Sequence, residues 1–331
     1  MFDINAKKIN WGIIGCGNIA HKFASDLAII DDVKLAAVAS RSMDRAIKFA
    51  KKYHSEKVYD NYDALFSDTN IDIVYIATPH NSHAELSIKA MEHGKHVLCE
   101  KPLALNKNEA LAMIETSKRT KRFFMEGLWT RFNPSLIAIK ERIDKGEIGE
   151  VEYIHANFSF VSTKPLDGRV MDLKLGGGAL LDIGIYPVFL AYLFLGTPKE
   201  IHAKSIFHKE TKCDIKTSMR FEYENAKAEL YCSFTSDSSK EQALIRGTNG
   251  DIFINSRWHV PPSYTLVKNT KKITFDLPPL GIGFTHEILE CHGCIRANKI
   301  ESEYWSHQNS LDLISILDSI REQIGLKYPQ E

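Results

Sequence analysis

Two short stretches have residue types and spacing that could do chemistry. In GGGALLDIGIYPV, Asp182 and Tyr186 stand four apart. On a helix that spacing puts both side chains on one face. Gly176, Gly177 and Gly178 precede them and read as a flexible lead-in near a ligand. A phenol ionises near ~10 and needs help to act as a base at neutral pH. A nearby ammonium gives that help by stabilising the phenolate. Lys101, in CEKPLAL, is the candidate ammonium. From spacing alone the plainer assignment is favoured, with Asp182 a surface acid of a helix and Tyr186 a packed aromatic. Glu100, Lys101 and Pro102 stay open between a solvated loop beside a rigid bend and a lysine held at a fixed angle.

A third stretch, GIIGCGNIA, carries Gly15, Gly17 and Ala20 as G-x-G-x-x-A between a strand-like run and a helical one. That context makes it a dinucleotide loop. Gly15 allows the tight turn, Gly17 lets a pyrophosphate approach the backbone, and Ala20 permits close helix packing. Asn18 and Ile19 open the helix whose unpaired N–H groups and dipole favour phosphate. The next strand ends in Ala39, Ser40, Arg41 and Ser42, without the acid that would bond a ribose 2′-hydroxyl. Arg41, aided by Ser40 and by Arg45 one turn on, can instead pair with a 2′-phosphate. NADP is therefore expected over NAD. In IATPHNSHAE, Thr78 and Pro79 lie at the end of another apolar strand, where ligands bind in such sheets. His80 edges the same loop, and His83 caps or packs the helix that begins there.

The elements that must position these residues follow from periodicity. Residues 10–124 alternate apolar strand runs with helices of 3.6-residue spacing, which implies a parallel sheet covered on both faces. The strands are NWGIIG, VKLAAVAS, IDIVYIAT, KHVLCE and RFFMEG. After about residue 125 the rhythm becomes alternating strands, from EVEYIHANFSFVS to SYTLVK, with GTNG at 247–250 as a hairpin turn. Helical spacing returns around 178–195, 285–297 and 307–324. The expected fold is α/β: a doubly wound N-terminal domain over 1–125, and an α+β domain with a large, mostly antiparallel open sheet over 126–331. If that sheet leaves an apolar face uncovered, a partner subunit covers it.

Composition narrows the function classes. The chain has 331 residues, 44% hydrophobic and 25% charged, with 42 basic and 42 acidic residues. That balance argues against a nucleic-acid or anionic-membrane binder. MFDINAKKIN lacks an apolar signal core, and no run is expected to reach the ~20 apolar residues of a membrane span. A cytoplasmic protein is expected. The six cysteines are too sparse for a disulfide framework. Cys291 and Cys294 form a CxxC, near His286 and His292, but a structural zinc site needs more ligands. They are read as reduced thiols, and no metal is expected.

Taken in order, GIIGCGNIA, IATPHNSHAE and EKPLA resemble the Gfo/Idh/MocA oxidoreductase family over nearly the whole chain. EGLWTRFNP and GGGALLDIGIYPV are similar to its branch of dimeric dihydrodiol dehydrogenases and NADP-dependent D-xylose dehydrogenases. The resemblance implies that Lys101 is the active-site lysine beside the nicotinamide, with a cis bond before Pro102 and Glu100 facing the cofactor side of the turn. It implies catalytic roles for Lys101, Tyr186 and Asp182. Many family members carry histidine where Tyr186 stands, and the tyrosine fits the diol and aldose branch. Cofactor contacts are expected from Gly15, Gly17, Asn18, Ile19, Ala20, Ser40, Arg41, Arg45, Thr78, Pro79, His80, His83, Glu100 and Lys101. Substrate contacts are expected from Trp129, Arg131, Phe132 and Asp182, with Trp258, His259, Phe284 and Trp305 as further lining residues or core.

The implied reaction moves hydride between NADP and a hydroxyl or carbonyl of a sugar, polyol or trans-dihydrodiol. A homodimer or higher homo-oligomer through the second sheet is expected, with no nucleic-acid or membrane partner. Two alternatives stand beside it: an NADP(H)-binding regulator without turnover, and a carbonyl reductase working in reverse.

Overall fold

The apolar runs of the first part of the chain become six parallel strands in the order β3-β2-β1-β4-β5-β6. The computed structural model describes residues 8–331. The N-terminal segment read as lacking a signal core lies, through Lys7, outside the described residues. In chain order the elements are β1 (Ile9–Ile14), α1 (Asn18–Leu27), β2 (Val33–Ala39), α2 (Met43–Tyr53), β3 (Lys57–Tyr59), α3 (Tyr62–Ser67), β4 (Ile73–Ile76), α4 (His83–Glu92), β5 (His96–Glu100), α5 (Lys107–Thr120) and β6 (Phe124–Gly127). Helices on both faces bury the central strands completely, which is why β4 reads Ile-Val-Tyr-Ile without a polar break. Ser42 caps α2 by accepting from Arg45 N at 3.4 Å. β3 and α3 were not expected. They span three and six residues, too short for a period to show, although Asn61 caps α3 through Ala64 N at 2.8 Å.

The second sheet has eight strands in the order β14-β13-β12-β11-β7-β10-β9-β8. It is preceded by α6 (Pro134–Asp144) and built from β7 (Val151–Ser159), β8 (Glu200–Phe207), β9 (Asp214–Glu222), β10 (Lys227–Ser233), β11 (Ala243–Gly247), β12 (Gly250–Ile254), β13 (Ser263–Lys268) and β14 (Lys271–Asp276), with α7 (Ile185–Leu195) between β7 and β8. Every pairing is antiparallel except β7 with β10, and GTNG closes the β11–β12 hairpin as expected. Ile154, Ala156, Met219, Phe221, Ala228, Leu230 and Ile245 share the buried face, and β7 and β10 pack with the apolar α7. The opposite face carries His202, Arg220 and Glu229 in one row and Lys204, Ser218 and Tyr231 in the next. It is charged and polar, not the apolar face on which the oligomer expectation rested.

Two further findings differ from the sequence expectation. The compact units are not split at residue 125: one comprises the chain through Ala104, 108–129 and 280–310, and the other 105–107, 130–279 and 311–331. α8 (Thr285–Arg296) therefore belongs with the first unit, where it packs against α1. α9 (His307–Ile324) follows it. One helical run, Leu173–Leu195, is apolar and long enough to cross a membrane by composition, but 78% of its most apolar window is buried, as a core helix is.

Candidate active site

The glycine loop follows β1 and opens α1 in the first unit. Gly15 has φ +86, and a Cβ there would stand 2.5 Å from Ala77 O, so no other residue fits. Gly17 differs: an added Cβ would meet nothing within 4 Å. The space above it is open, as approach of a pyrophosphate requires. Ala20 is fully buried against the sheet. The first N–H groups of α1 have no intrahelical acceptor, so the loop can cradle a dinucleotide phosphate. Burial pushes the Cys16 thiol up to about 11, and the Arg45 charge opposes that rise. Burial also raises the Tyr62 phenol, against the charge of Arg41. Both exposed arginines thus set a positive field beside the loop, while Ser40 is buried and accepts from Ser42 N at 3.4 Å.

The turn after β5 is held from several sides. Lys101–Pro102 is a cis peptide bond. Tyr75, from β4, donates its hydroxyl to Glu100, and Lys101 N donates to the other Glu100 oxygen at 3.2 Å. Leu103 N donates to buried Glu126 at 2.9 Å. The second oxygen of Glu126 accepts from Trp305 Nε1 at 3.2 Å and Ser310 Oγ at 2.7 Å. His83 is fully buried; its Nδ1 lies 2.9 Å from Pro102 O and its Nε2 3.0 Å from Thr78 O. A neutral imidazole donates to only one of these at a time. His83 is thus a brace joining the Thr78 and Pro102 loops, at the start of the helix it was expected to cap or pack. His80 is buried edge-on beside it at 5.6 Å. Gly15, Gly17, Ser40, Arg41, Thr78, Pro79, Glu100 and Lys101 lie at or just beyond the C-terminal ends of β1, β2, β4 and β5, the edge where such sheets bind ligands.

In the second unit, Asp182 and Tyr186 are both buried at the start of the α7 region. Residues Leu180–Gly184 form a π-helical turn rather than α-helix, a distortion common at functional sites. Asp182 pairs with Arg169 at 2.9 Å. The Tyr186 ring stands edge-on to Phe158 at 5.4 Å and to His259 at 5.7 Å, and those two rings stack at 4.1 Å. Thr130 donates to His259 O at 2.5 Å, fixing that residue. The glycine triplet is not a flexible lead-in. A Cβ on Gly177 would stand 2.8 Å from Asp172 N, and one on Gly178 2.2 Å from Asp214 Oδ1. The glycines are there because the chain is crowded.

The remaining predicted residues fall into two groups. Trp129 stacks on Phe284 at 4.4 Å within the first unit, and both stay candidates for a ligand wall. Arg131 and Phe132 are buried in the second unit. Trp258 donates to Asn157 O at 2.8 Å. Trp305 is a buried donor to Glu126, which makes it structural. Cys291 and Cys294 are buried free thiols, pushed up by burial. His292 accepts from Trp11 Nε1 at 3.0 Å, and His286 accepts from Leu280 N at 3.1 Å. Among the described residues no cluster of three or more His, Cys, Asp and Glu stands ready to hold a metal. Sequence reasoning missed Arg169 and Asp214, which lie in no motif, and gave no role to Glu126, although it opens EGLWTRFNP.

Comparison with known proteins places these features. Residues 9–128 match the family model described as oxidoreductase family, NAD-binding Rossmann fold, and residues 136–253 match the GFO/IDH/MocA C-terminal domain. The chain is 33% identical to trans-1,2-dihydrobenzene-1,2-diol dehydrogenase of Xenopus tropicalis, over 96% of this chain and 99% of that protein. It is 31% identical to D-xylose 1-dehydrogenase (NADP(+)) of Hypocrea jecorina, over 98% and 94%. Among solved structures, the 3-ketoreductase KijD10 of Actinomadura kijaniata, in complex with NADP and TDP-benzene, superposes with a TM-score of 0.87 at 27% identity, over 96% of this chain and 98% of that one.

Proposed function

The chain belongs to the GFO/IDH/MocA oxidoreductase family, and from that premise we propose that it is an NADP-dependent dehydrogenase of a sugar or trans-dihydrodiol hydroxyl, with Tyr186 as acid/base. Two observations support the reading, each within its own unit: an open glycine cradle after β1, and a buried Asp182, paired with Arg169, on the same short run as a buried Tyr186. When bound, NADP supplies the two-electron acceptor or donor for the carbon-bound hydrogen. Tyr186 takes the hydroxyl proton in oxidation and returns it in reduction. Lys101 stabilises the phenolate and the developing alkoxide by charge. Asp182, oriented by Arg169, accepts a hydrogen bond from a neighbouring substrate hydroxyl, which favours diols and polyols. Arg41, with Ser40 and Arg45, takes the 2′-phosphate and so selects NADP.

A second reading runs the same residues toward carbonyl reduction. It is favoured by the likeness to a 3-ketoreductase at 27% identity. A homodimer or higher homo-oligomer through the exposed sheet face completes the proposal, held by polar pairing because that face is charged. The buried free cysteines fit a reducing, cytoplasmic compartment. The test is a rate assay with NADP+ and NAD+ in parallel against D-xylose, D-glucose, other aldoses, a trans-dihydrodiol and inositol. Turnover of an aldose or dihydrodiol with NADP+ supports the proposal. Tight NADPH binding with no turnover of any substrate, in either direction, overturns it in favour of a regulator.

A further inference from the structure

Asp214 opens β9 with its side chain fully buried. Its Oδ2 accepts from Leu180 N at 2.7 Å and from Thr217 Oγ1 at 3.0 Å. Its Oδ1 makes no hydrogen bond among the described residues. That oxygen faces Gly178, whose φ of +132 and lack of a Cβ leave just enough room for it. Tyr328, near the C-terminus, donates to Gly177 O at 3.2 Å and braces the same glycines. The carboxylate thus satisfies an amide at the start of the π turn, two residues before Asp182 and six before Tyr186. A negative charge is also favourable at that end of a helix.

We propose that Asp214 is a positioning residue, which caps the chain at Leu180 and so sets the aim of Asp182 and Tyr186. This rests on the reading of Tyr186 as acid/base. The cap carries a pH dependence. Burial pushes the Asp214 carboxyl up to about 6, against the lowering pull of Leu180 N and Thr217. The titratable groups facing it are Cys213, which precedes it in the chain, Cys232 of β10 and Tyr328. Burial pushes Cys213 up to about 12 and holds Cys232 and Tyr328 well above their ordinary values. Asp214 is then the member of this cluster that changes charge near about pH 6.

The sign follows. Above about pH 6 the carboxylate caps Leu180; below it the protonated acid is a weaker acceptor and the turn loosens. Activity falls as pH drops through that value. Its contribution to global stability runs the other way. A raised carboxyl pKa means the folded state holds the proton more tightly, so stability is lost as pH rises from the ordinary carboxylate range to about 6. A merely structural residue would not move activity and stability in opposite directions.

The test compares wild type, Asp214→Asn, Asp214→Ala and Tyr186→Phe by kcat against pH and by amide hydrogen exchange over residues 178–190. In Asp214→Ala the amides near Leu180 should exchange at least about tenfold faster. Its kcat should fall about 10- to 100-fold, with KM for NADP within about twofold. Asp214→Asn keeps an acceptor oxygen but cannot titrate, so it should retain most protection and lose the acid limb near pH 6. Unchanged exchange in Asp214→Ala, or an intact acid limb in Asp214→Asn, overturns the proposal. If Asp214→Ala does not fold, the Asp214→Asn profile decides alone. Tyr186→Phe should lower kcat about 10³-fold and leave exchange unaltered. If it stays active, the acid/base reading fails while the exchange data still judge Asp214.

Discussion

Two buried carboxylates hold two motif turns, and they do it with different redundancy. Glu126 holds the Lys101 turn through Leu103 N, and both its oxygens are satisfied, the second by Trp305 and Ser310. That turn is also braced by His83 and by Tyr75 acting on Glu100. Asp214 holds the Asp182–Tyr186 turn through Leu180 N, and its other oxygen faces Gly178 with no hydrogen bond among the described residues. Burial raises both carboxyls. The difference teaches where each turn is fragile. The first is held from several sides and should tolerate loss of one contact; in the second, the amide of Leu180 leans on Asp214 while Tyr328 braces the glycines before it.

Removing the chemistry itself should have the largest effect. Tyr186→Phe is expected to lower kcat by about 10³-fold with NADP affinity nearly unchanged, checked by steady-state kinetics and a binding titration. Lys101→Ala should cost about 10²-fold in kcat, because it removes charge stabilisation without unfolding a turn held by its neighbours. Arg41→Ala should raise KM for NADP about tenfold and leave NAD nearly unaffected, read from the ratio of kcat/KM values for the two cofactors. Glu126→Gln should be mildest, about 1 kcal/mol by thermal unfolding, with kcat within about threefold. A collapse of kcat in Glu126→Gln, equal to that of Asp214→Ala, would erase the contrast between the turns. The Glu126 carboxyl is raised by burial, so its contribution to stability is present at low pH. It is lost as pH rises from the ordinary carboxylate range through its raised folded value.

Much of the first unit was legible because its signals are local. Gly15 and Ala20 sit where the motif needs a tight turn and close packing, and the structure shows the Ala77 carbonyl that excludes a side chain from Gly15. The strands that read as unbroken apolar runs are those buried on both faces. β3, α3, α6 and β14 escaped notice because they are short or carry weak periodicity, though Asn133 and Pro134 mark the start of α6. The allocation of α8 to the first unit is a long-range matter. It depends on Asp26, whose carboxylate accepts from the backbone N–H groups of Ile282, Gly283 and Phe284, and nothing near residue 285 announces it. At the site, Tyr186 and Lys101 were legible as motif residues. Asp214 and Glu126 were not, because a side chain that holds another segment's backbone leaves no pattern in its own, and Arg169 pairs with an acid thirteen residues away.

The central claim is that Tyr186 moves the substrate proton in an NADP-dependent reaction. Its most direct test is a single-turnover experiment, mixing enzyme preloaded with NADP+ against a trans-dihydrodiol or D-xylose and following the reduced nicotinamide. Wild type should give a burst of one equivalent, and Tyr186→Phe should slow it by about 10³-fold at unchanged cofactor occupancy. Equal rates in the two proteins would contradict the account.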